Sequence, residues 1–237
     1  MIKFILTDIE GTASSISFED LLLNCSRVNL KDFVYTNTNN VEVLQCLYDA
    51  QEYVQQVSNK KPNRKEVVEN LLEWIERDVR QPSLKKLQGM INKLAYENGD
   101  ISGHIYPDVA LAFERWRGKG VLVGTYSSSP IEWQKLHFKF STEGDLIPYI
   151  SAFFDTGVGE KTDIFSYFHV ADKLNLAPNE ILFLSDSQEE LESARKSGMG
   201  VLQMLRKDSL FLAVKPIPQR SKYLIMNDFD GVDAVLS

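Results

Sequence analysis

The residues of this chain best placed to do chemistry stand at the ends of short apolar runs. Lys3-Phe4-Ile5-Leu6-Thr7 reads as a buried strand running into Asp8-Ile9-Glu10-Gly11-Thr12, and Ile181-Leu182-Phe183-Leu184 reads as another that delivers Ser185-Asp186. In an open α/β sheet the crevice outside the C-terminal strand ends is where ligands bind, so Asp8 and Asp186 are both placed for a site. Two strand-end carboxylates can share one Mg²⁺, which takes oxygen ligands and keeps waters and a substrate phosphate in its other positions. Glu10 adds a further carboxylate, Gly11 permits a left-handed turn, and Thr12 brings a hydroxyl within loop reach. Taken alone, the first stretch equally suits a strand ending in an Asx turn or a helix N-cap.

A phosphate would need donors as well as a metal. Val121 to Thr125 reads as a strand leading into Tyr126-Ser127-Ser128-Ser129-Pro130, with a helix restarting at Pro130. Ser127, Ser128 and the first helical N–H groups together make an anion pocket, although Ser-rich turns also serve simply as caps. Lys161 follows a strand expected over Ala152 to Thr156 and precedes a helix expected from Asp163 to Leu174. The positive end of a helix dipole disfavours a lysine there, so Lys161 is a candidate to neutralise Asp8 and the substrate phosphate. Glu190 has the spacing to support the site, and a helix-start acid favoured by the dipole explains it almost as well. His104, His137 and His169 form no zinc spacing and are read as structural.

The elements that must position these groups fall into two kinds. Strand and helix alternate at the start of the chain and again from His104, whereas 18–103 reads as helix after helix. Within it Asn40 is a plausible N-cap, with Val41, Leu44, Leu47, Tyr48, Val54 and Val57 at helical spacing. A second helix is expected from Val67 to near Gln81-Pro82, and a third from a Ser83 cap to Gly99. Nearly ninety residues without a strand is long for one crossover, so 18–103 is read as an inserted cap domain that closes over a catalytic core made of 1–17 and 104–237. The fold class is α/β with a mainly parallel sheet. Beyond Leu205 the pattern weakens and no function is assigned.

Composition narrows the class further. With 237 residues, 43% hydrophobic and 25% charged, the chain can bury a proper core. A net charge of −7 and pI near 5.1 repel phosphate polymers and anionic membranes, so nucleic-acid and membrane partners are not expected and any phosphate must be held locally. Cys25 and Cys46 have no metal spacing and read as free thiols. No signal-peptide pattern or membrane-length apolar run is visible, and the expected location is the cytoplasm.

A strand-end Asp8, the Ser127-Ser128 turn, Lys161 and a second strand-end Asp186, in that order, resemble the four motifs of the haloacid dehalogenase (HAD) superfamily, with Glu10 where a second Asp is usual. Finer strings resemble the enolase-phosphatase family of methionine salvage: Asp8-Ile9-Glu10-Gly11-Thr12 with Ile16-Ser17-Phe18, Gly103-His104-Ile105-Tyr106-Pro107-Asp108-Val109, Gln134-Lys135-Leu136, Phe140-Ser141-Thr142-Glu143-Gly144-Asp145 and Phe154-Asp155-Thr156. The resemblance implies a HAD-like Rossmannoid core with a helical cap, and a bifunctional enzyme. That enzyme enolises 2,3-diketo-5-methylthiopentyl-1-phosphate and hydrolyses the phosphate to give an acireductone. It also implies Mg²⁺ as cofactor, a small phosphate ester as substrate and a monomeric state. By position it makes Asp8 the nucleophile and a metal ligand, Glu10 a metal-site and proton-transfer residue, Ser127, Ser128 and Lys161 substrate-binding groups, and Asp186 the other metal ligand. The chain departs from the family pattern at Ala13-Ser14-Ser15, where threonines are usual, and at Ser129-Pro130, where Gly-Ser usually follows the paired serines. The competing readings are a HAD phosphatase of another small ester such as a sugar phosphate, a dehalogenase, and a catalytically silent phosphate-binding protein.

Overall fold

The computed structural model describes residues 1–15, 18–77, 79–206 and 221–236. The chain divides into two compact units, Met1–Phe18 with Ser102–Ser237, and Glu19–Ile101. Ile16 and Ser17, which carry part of the motif after Gly11-Thr12, lie outside the described residues.

The second unit is built from α1 (Phe18–Thr36), α2 (Val41–Ser58), α3 (Arg64–Glu76) and α4 (Pro82–Asn98). Asn40 caps α2 by accepting from the N–H groups of Glu42 and Val43, and Asn63 with Glu66 forms a reciprocal capping box on α3, each satisfying N–H groups that a helix start leaves unpaired. The buried face of α2 is Val43, Cys46, Leu47 and Ala50. Val41, Leu44, Tyr48 and Val57, expected to face inward, are instead exposed. Both sets have helical spacing, and the narrower one is the one packed with Leu71 and Leu87 of the neighbouring helices. Helix α3 stops at Glu76, short of the expected Gln81-Pro82, and α4 starts two residues earlier than a Ser83 cap requires. Gln81 is the N-cap and Pro82 takes the first helical position, where its fixed φ is already helical.

The first unit holds a six-stranded sheet in the order β3-β2-β1-β4-β5-β6, all neighbours parallel. Its strands are β1 (Phe4–Thr7), β2 (Leu122–Tyr126), β3 (Ile150–Phe154), β4 (Ile181–Ser185), β5 (Gly200–Met204) and β6 (Ile225–Met226). All four β1 residues are buried, as a strand covered on both faces requires. Ile5, Leu182 and Leu184 enter one core with Val109, Phe113 and Trp116, while Phe4, Leu6 and Phe183 enter another with Tyr167 and Leu191. The covering helices are α5 (Pro107–Gly118), α6 (Ile131–Lys139), α7 (Ile164–Leu174), α8 (Gln188–Lys196) and α9 (Asp233–Leu236).

Three boundaries differ from expectation. Strand β3 ends at Phe154 rather than Thr156, because the Asp155 side chain accepts the Gly157 N–H at 2.9 Å and opens a single 3₁₀ turn. Pro130 is the N-cap of α6 rather than its first residue. The stretch after Leu205 contributes Phe229 and Val232, both fully buried, and Asp233, which bonds Arg115, Trp116 and Lys119 of α5 and the residue after it.

The Ser141-Thr142-Glu143-Gly144-Asp145 string proves to be a brace. The Thr142 N–H donates to Gly103 O, the Thr142 hydroxyl accepts from the Ile105 N–H, and the Ser141 hydroxyl donates to Gly144 O. The Gly103 N–H donates to Phe140 O at 2.8 Å, and a Cβ on Gly103 would overlap the backbone carbonyl of His137. Gly103→Ala is therefore expected to cost about 1–3 kcal/mol or more, read as a fall in urea midpoint, because backbone rather than a flexible side chain must move.

Candidate active site

Parallel register sets the site. Thr7 of β1 lies level with Thr125 of β2 and Leu184 of β4, so the residues that follow these strands emerge at one edge of the sheet. Asp8 is pinned there by its N–H to Leu184 O at 2.8 Å, and its Oδ1 accepts the Ile9 N–H at 2.8 Å. The chain then turns sharply: Gly11 has φ +71°, which only glycine adopts without strain. The N–H groups of Thr12, Ala13 and Ser14 all converge on Ile9 O. Glu10 is half-buried within this turn.

Lys161 reaches Asp8 from the turn that precedes α7. Its Nζ lies 2.6 Å from Asp8 Oδ1 and 2.9 Å from Glu190 Oε2, and all three side chains are largely buried. Glu190 is held in turn by the Ser185 hydroxyl at 2.8 Å. The Tyr167 hydroxyl donates to Lys161 O and the Tyr126 hydroxyl to Gly159 O, which fixes the backbone on either side of the Glu160-Lys161 turn. A lysine placed against a helix dipole thus finds its partners in two carboxylates.

Ser127 is buried at the end of β2 and Ser128 is exposed beside it. The Ser127 hydroxyl accepts the Ser129 N–H at 3.1 Å and keeps its own O–H as a donor. Beneath the turn, buried Gln134 accepts from the Thr125 hydroxyl and donates to Ser129 O at 2.7 Å and Phe154 O at 2.9 Å. Asp186 follows β4, half-buried, and its carbonyl accepts from Gln203 at 3.2 Å.

The electrostatics are lopsided. Burial pushes the Asp8 carboxyl up to about 7; Lys161 opposes this, while Glu190 and Asp186 add to it. Lys161 is held above the usual lysine range: burial is the largest single influence and works against its charge, but Asp8 and Glu190 together outweigh it. Three carboxylates facing one ammonium leave an excess of negative charge, which a divalent cation with oxygen preference would offset. The donor chemistry therefore fits Mg²⁺. Among the described residues no three His, Cys, Asp or Glu side chains converge as a ready-made cage, and an ion that retains waters and a substrate phosphate does not require one.

The structure thus brings Asp8, Lys161 and Glu190 into direct contact with Asp186 within electrostatic reach, sets Glu10 two residues along the turn, and places Ser127 and Ser128 after the adjacent strand. Glu190 is the residue whose part was undervalued from sequence; its spacing after Ser185 was the available signal. Gln134 was marked only as part of the family string Gln134-Lys135-Leu136, with no sign of its hydrogen-bonding role, and Gln203 gave no signal beyond being an amide in apolar surroundings. The histidines have structural partners: His104 Nδ1 accepts the Ser15 N–H, His137 lies against His104 O with burial pushing its ring down to about 4, and His169 bonds Val158 O.

The doubly wound sheet, with an acid after β1, a hydroxyl turn after β2, a lysine before α7 and an acid after β4, defines a HAD-type hydrolase. The L-2-haloacid dehalogenase of Xanthobacter autotrophicus shares the fold, with TM-score 0.56 and 15% identity over 100% of this chain and 98% of that one. The UTR4 protein of Saccharomyces cerevisiae superposes at TM-score 0.80, with 28% identity over 97% of this chain and 99% of that one. No family model matches the chain. Against a protein of Marinobacter nauticus named Enolase-phosphatase E1 it is 36% identical over 240 residues, spanning 100% of this chain and 99% of the relative. The chain belongs to the enolase-phosphatase E1 family.

Because the folded Asp8 carboxyl is raised above its unfolded value, ionising it costs stability progressively from about pH 4 to pH 7 and fully above that. In EDTA, Asp8→Asn is expected to melt higher than wild type at pH 8, with the gap closing by pH 5. About 1 kcal/mol corresponds to roughly 2–4 °C in a chain of this size, so calorimetric scans at the two pH values read the difference directly.

Proposed function

We propose that this chain is the enolase-phosphatase that converts 2,3-diketo-5-methylthiopentyl-1-phosphate to its enol and then to the acireductone, with Asp8 as nucleophile. The observation that carries the reading is Asp8 itself: a buried carboxylate at the end of the central strand, gripped by Lys161 at 2.6 Å and crowded by other acids, in a chain of this family. Asp8 Oδ attacks phosphorus, the bond from phosphorus to the substrate oxygen breaks, and water then hydrolyses the aspartyl-phosphate. Splitting the displacement this way makes two easier steps of one hard one.

Lys161 offsets charge between Asp8 and the incoming phosphate, and Ser127, Ser128 and nearby backbone N–H groups donate to its oxygens. Glu10, one methylene longer than aspartate, is assigned the proton at carbon in the enolisation that precedes phosphate loss; positioned acid–base groups contribute roughly 10²–10⁴-fold. Mg²⁺, held by Asp8, Asp186 and Glu10, would supply charge neutralisation at the phosphoryl group. The helical unit, 18–103 in our reading, acts as a cap that excludes water from the catalytic core. Cys25 and Cys46 are free thiols, which accords with a reducing cytoplasm; among the described residues no helix is long and apolar enough to cross a membrane.

Phosphate release from the diketo ester should require Mg²⁺ and stop with excess EDTA. Glu10→Ala is expected to lose both half-reactions and Asp8→Asn at least phosphate release. Wild-type turnover in Asp8→Asn would rule the mechanism out.

A further inference from the structure

Three backbone segments meet under the turn that carries Ser127 and Ser128: the end of β2, the exit of the turn at Ser129, and the end of β3. The Gln134 side chain, on α6 and 1% exposed, joins all three. Its Oε1 accepts from the Thr125 hydroxyl at 2.6 Å, and its Nε2 donates to Ser129 O at 2.7 Å and to Phe154 O at 2.9 Å. Chemistry allows only this orientation, because turning the amide over would set its oxygen against two carbonyls.

The turn has other attachments, and they hold other atoms. The Ser127 N–H donates to Phe154 O at 3.2 Å, the Ser129 N–H to Ser127 Oγ at 3.1 Å, and the Ile131 N–H to Asp155 Oδ2 at 3.3 Å. Those bonds fix the entry to the turn, its internal closure and the start of α6. Gln134 ties the exit to the entry: Phe154 O receives both its N–H and that of Ser127, so both ends of the hydroxyl-bearing segment are referred to one carbonyl of β3. Burying an amide in this way returns little stability, since its bonds replace equally good ones to water. What it supplies is direction, placing the two hydroxyls relative to Asp8 on the adjacent strand end.

We propose that Gln134 is the positioning residue for the Ser127-Ser128 turn, acting through Ser129 O and Phe154 O. It sets how tightly the phosphoryl group is held in transfer, rather than how tightly the resting ester is bound. The inference rests on the roles given to Asp8 and the two serines under the proposed function.

The full chain with Mg²⁺ tests it as Gln134→Met, Gln134→Glu, the double variant Gln134→Met/Thr125→Val, and Arg115→Gln as control, which frees α5 from Asp230 and Asp233. Turnover of p-nitrophenyl phosphate is read beside inhibition by inorganic phosphate and by orthovanadate, whose five-coordinate form resembles the phosphoryl group in transfer. Gln134→Met should lose about 10- to 100-fold in kcat, in line with the cost of a displacement of about 1 Å. Vanadate inhibition should weaken by a similar factor, with KM and phosphate inhibition changed by less than about threefold. Gln134→Glu keeps the shape and the acceptor for Thr125 but, as a carboxylate, donates to neither carbonyl, and should do no better. The double variant removes the hydroxyl left without its acceptor, so it should melt above Gln134→Met and keep the kcat loss. Arg115→Gln should melt below wild type with kcat and vanadate inhibition unchanged. Wild-type kcat in Gln134→Glu or in the double variant overturns the proposal. So does a kcat loss in Gln134→Met with vanadate inhibition unchanged, which is the pattern of an enzyme only less folded. A wild type active on p-nitrophenyl phosphate but not on the diketo ester overturns the substrate reading while still deciding the part played by Gln134.

Discussion

A buried lysine shared by too many carboxylates is the constraint on which the rest depends. Lys161 touches Asp8 and Glu190, and Asp186 adds to the same field. In a low-dielectric setting such a cluster is tolerable only when every group is held in place, because an ionised carboxylate left to itself would neutralise or find water. Much of the surrounding structure serves that end: Ser185 on Glu190, Tyr167 under Lys161, and the carbonyl of Leu184 on the Asp8 N–H. In the nucleophile's role proposed for Asp8, a carboxylate kept poorly compensated in the resting protein would have the most to gain from the charges that substrate and metal bring.

A common device fixes the three turns at the sheet edge. After β1, the carbonyl of Thr12 is held by Arg206; after β2, that of Ser129 is held by Gln134; after β4, that of Asp186 is held by Gln203. Each donor is a buried long polar side chain from another element, and each grips backbone rather than a reacting group. Turns carry few internal bonds, so their carbonyls are where outside restraint is most effective. The level register of β1 with β2 and β4 brings the turns together, and these side chains keep them there.

The parts visible in the sequence were those with a local physical signature. Four-residue apolar runs ending in Asp8 and Asp186, the Asn40 cap, the Gly99 stop and the lysine set against a helix dipole all declare themselves within a few residues. What escaped was decided by distant partners. The face of α2 was read from Val41, Leu44, Leu47, Tyr48, Val54 and Val57; Leu47 and Val54 do pack inward, but Val43, Cys46 and Ala50 have the same period as Val41, Leu44 and Tyr48, and only packing against other helices chooses between them. Ser141 to Asp145 marked the family, but its work as a brace depends on Gly103, some forty residues earlier. Arg206 lies where the pattern fades, and the partners of its guanidinium, Asp108, Thr12 and Phe229, are spread over the whole chain. Asp108 drew notice only as part of the family string from Gly103 to Val109.

The split of the first unit also governs how the chain is assembled. Strand β1 is central, yet its partners β2 and β4 begin at Leu122 and Ile181, so β1 must wait for well over a hundred later residues before it can pair. Glu19–Ile101, by contrast, is complete once its own helices are made, and its contacts are local enough to form quickly. During synthesis the apolar Phe4-Ile5-Leu6 segment therefore stays unpaired beside an already folded helical neighbour. That interval, rather than the native state, is when this protein is most exposed to aggregation.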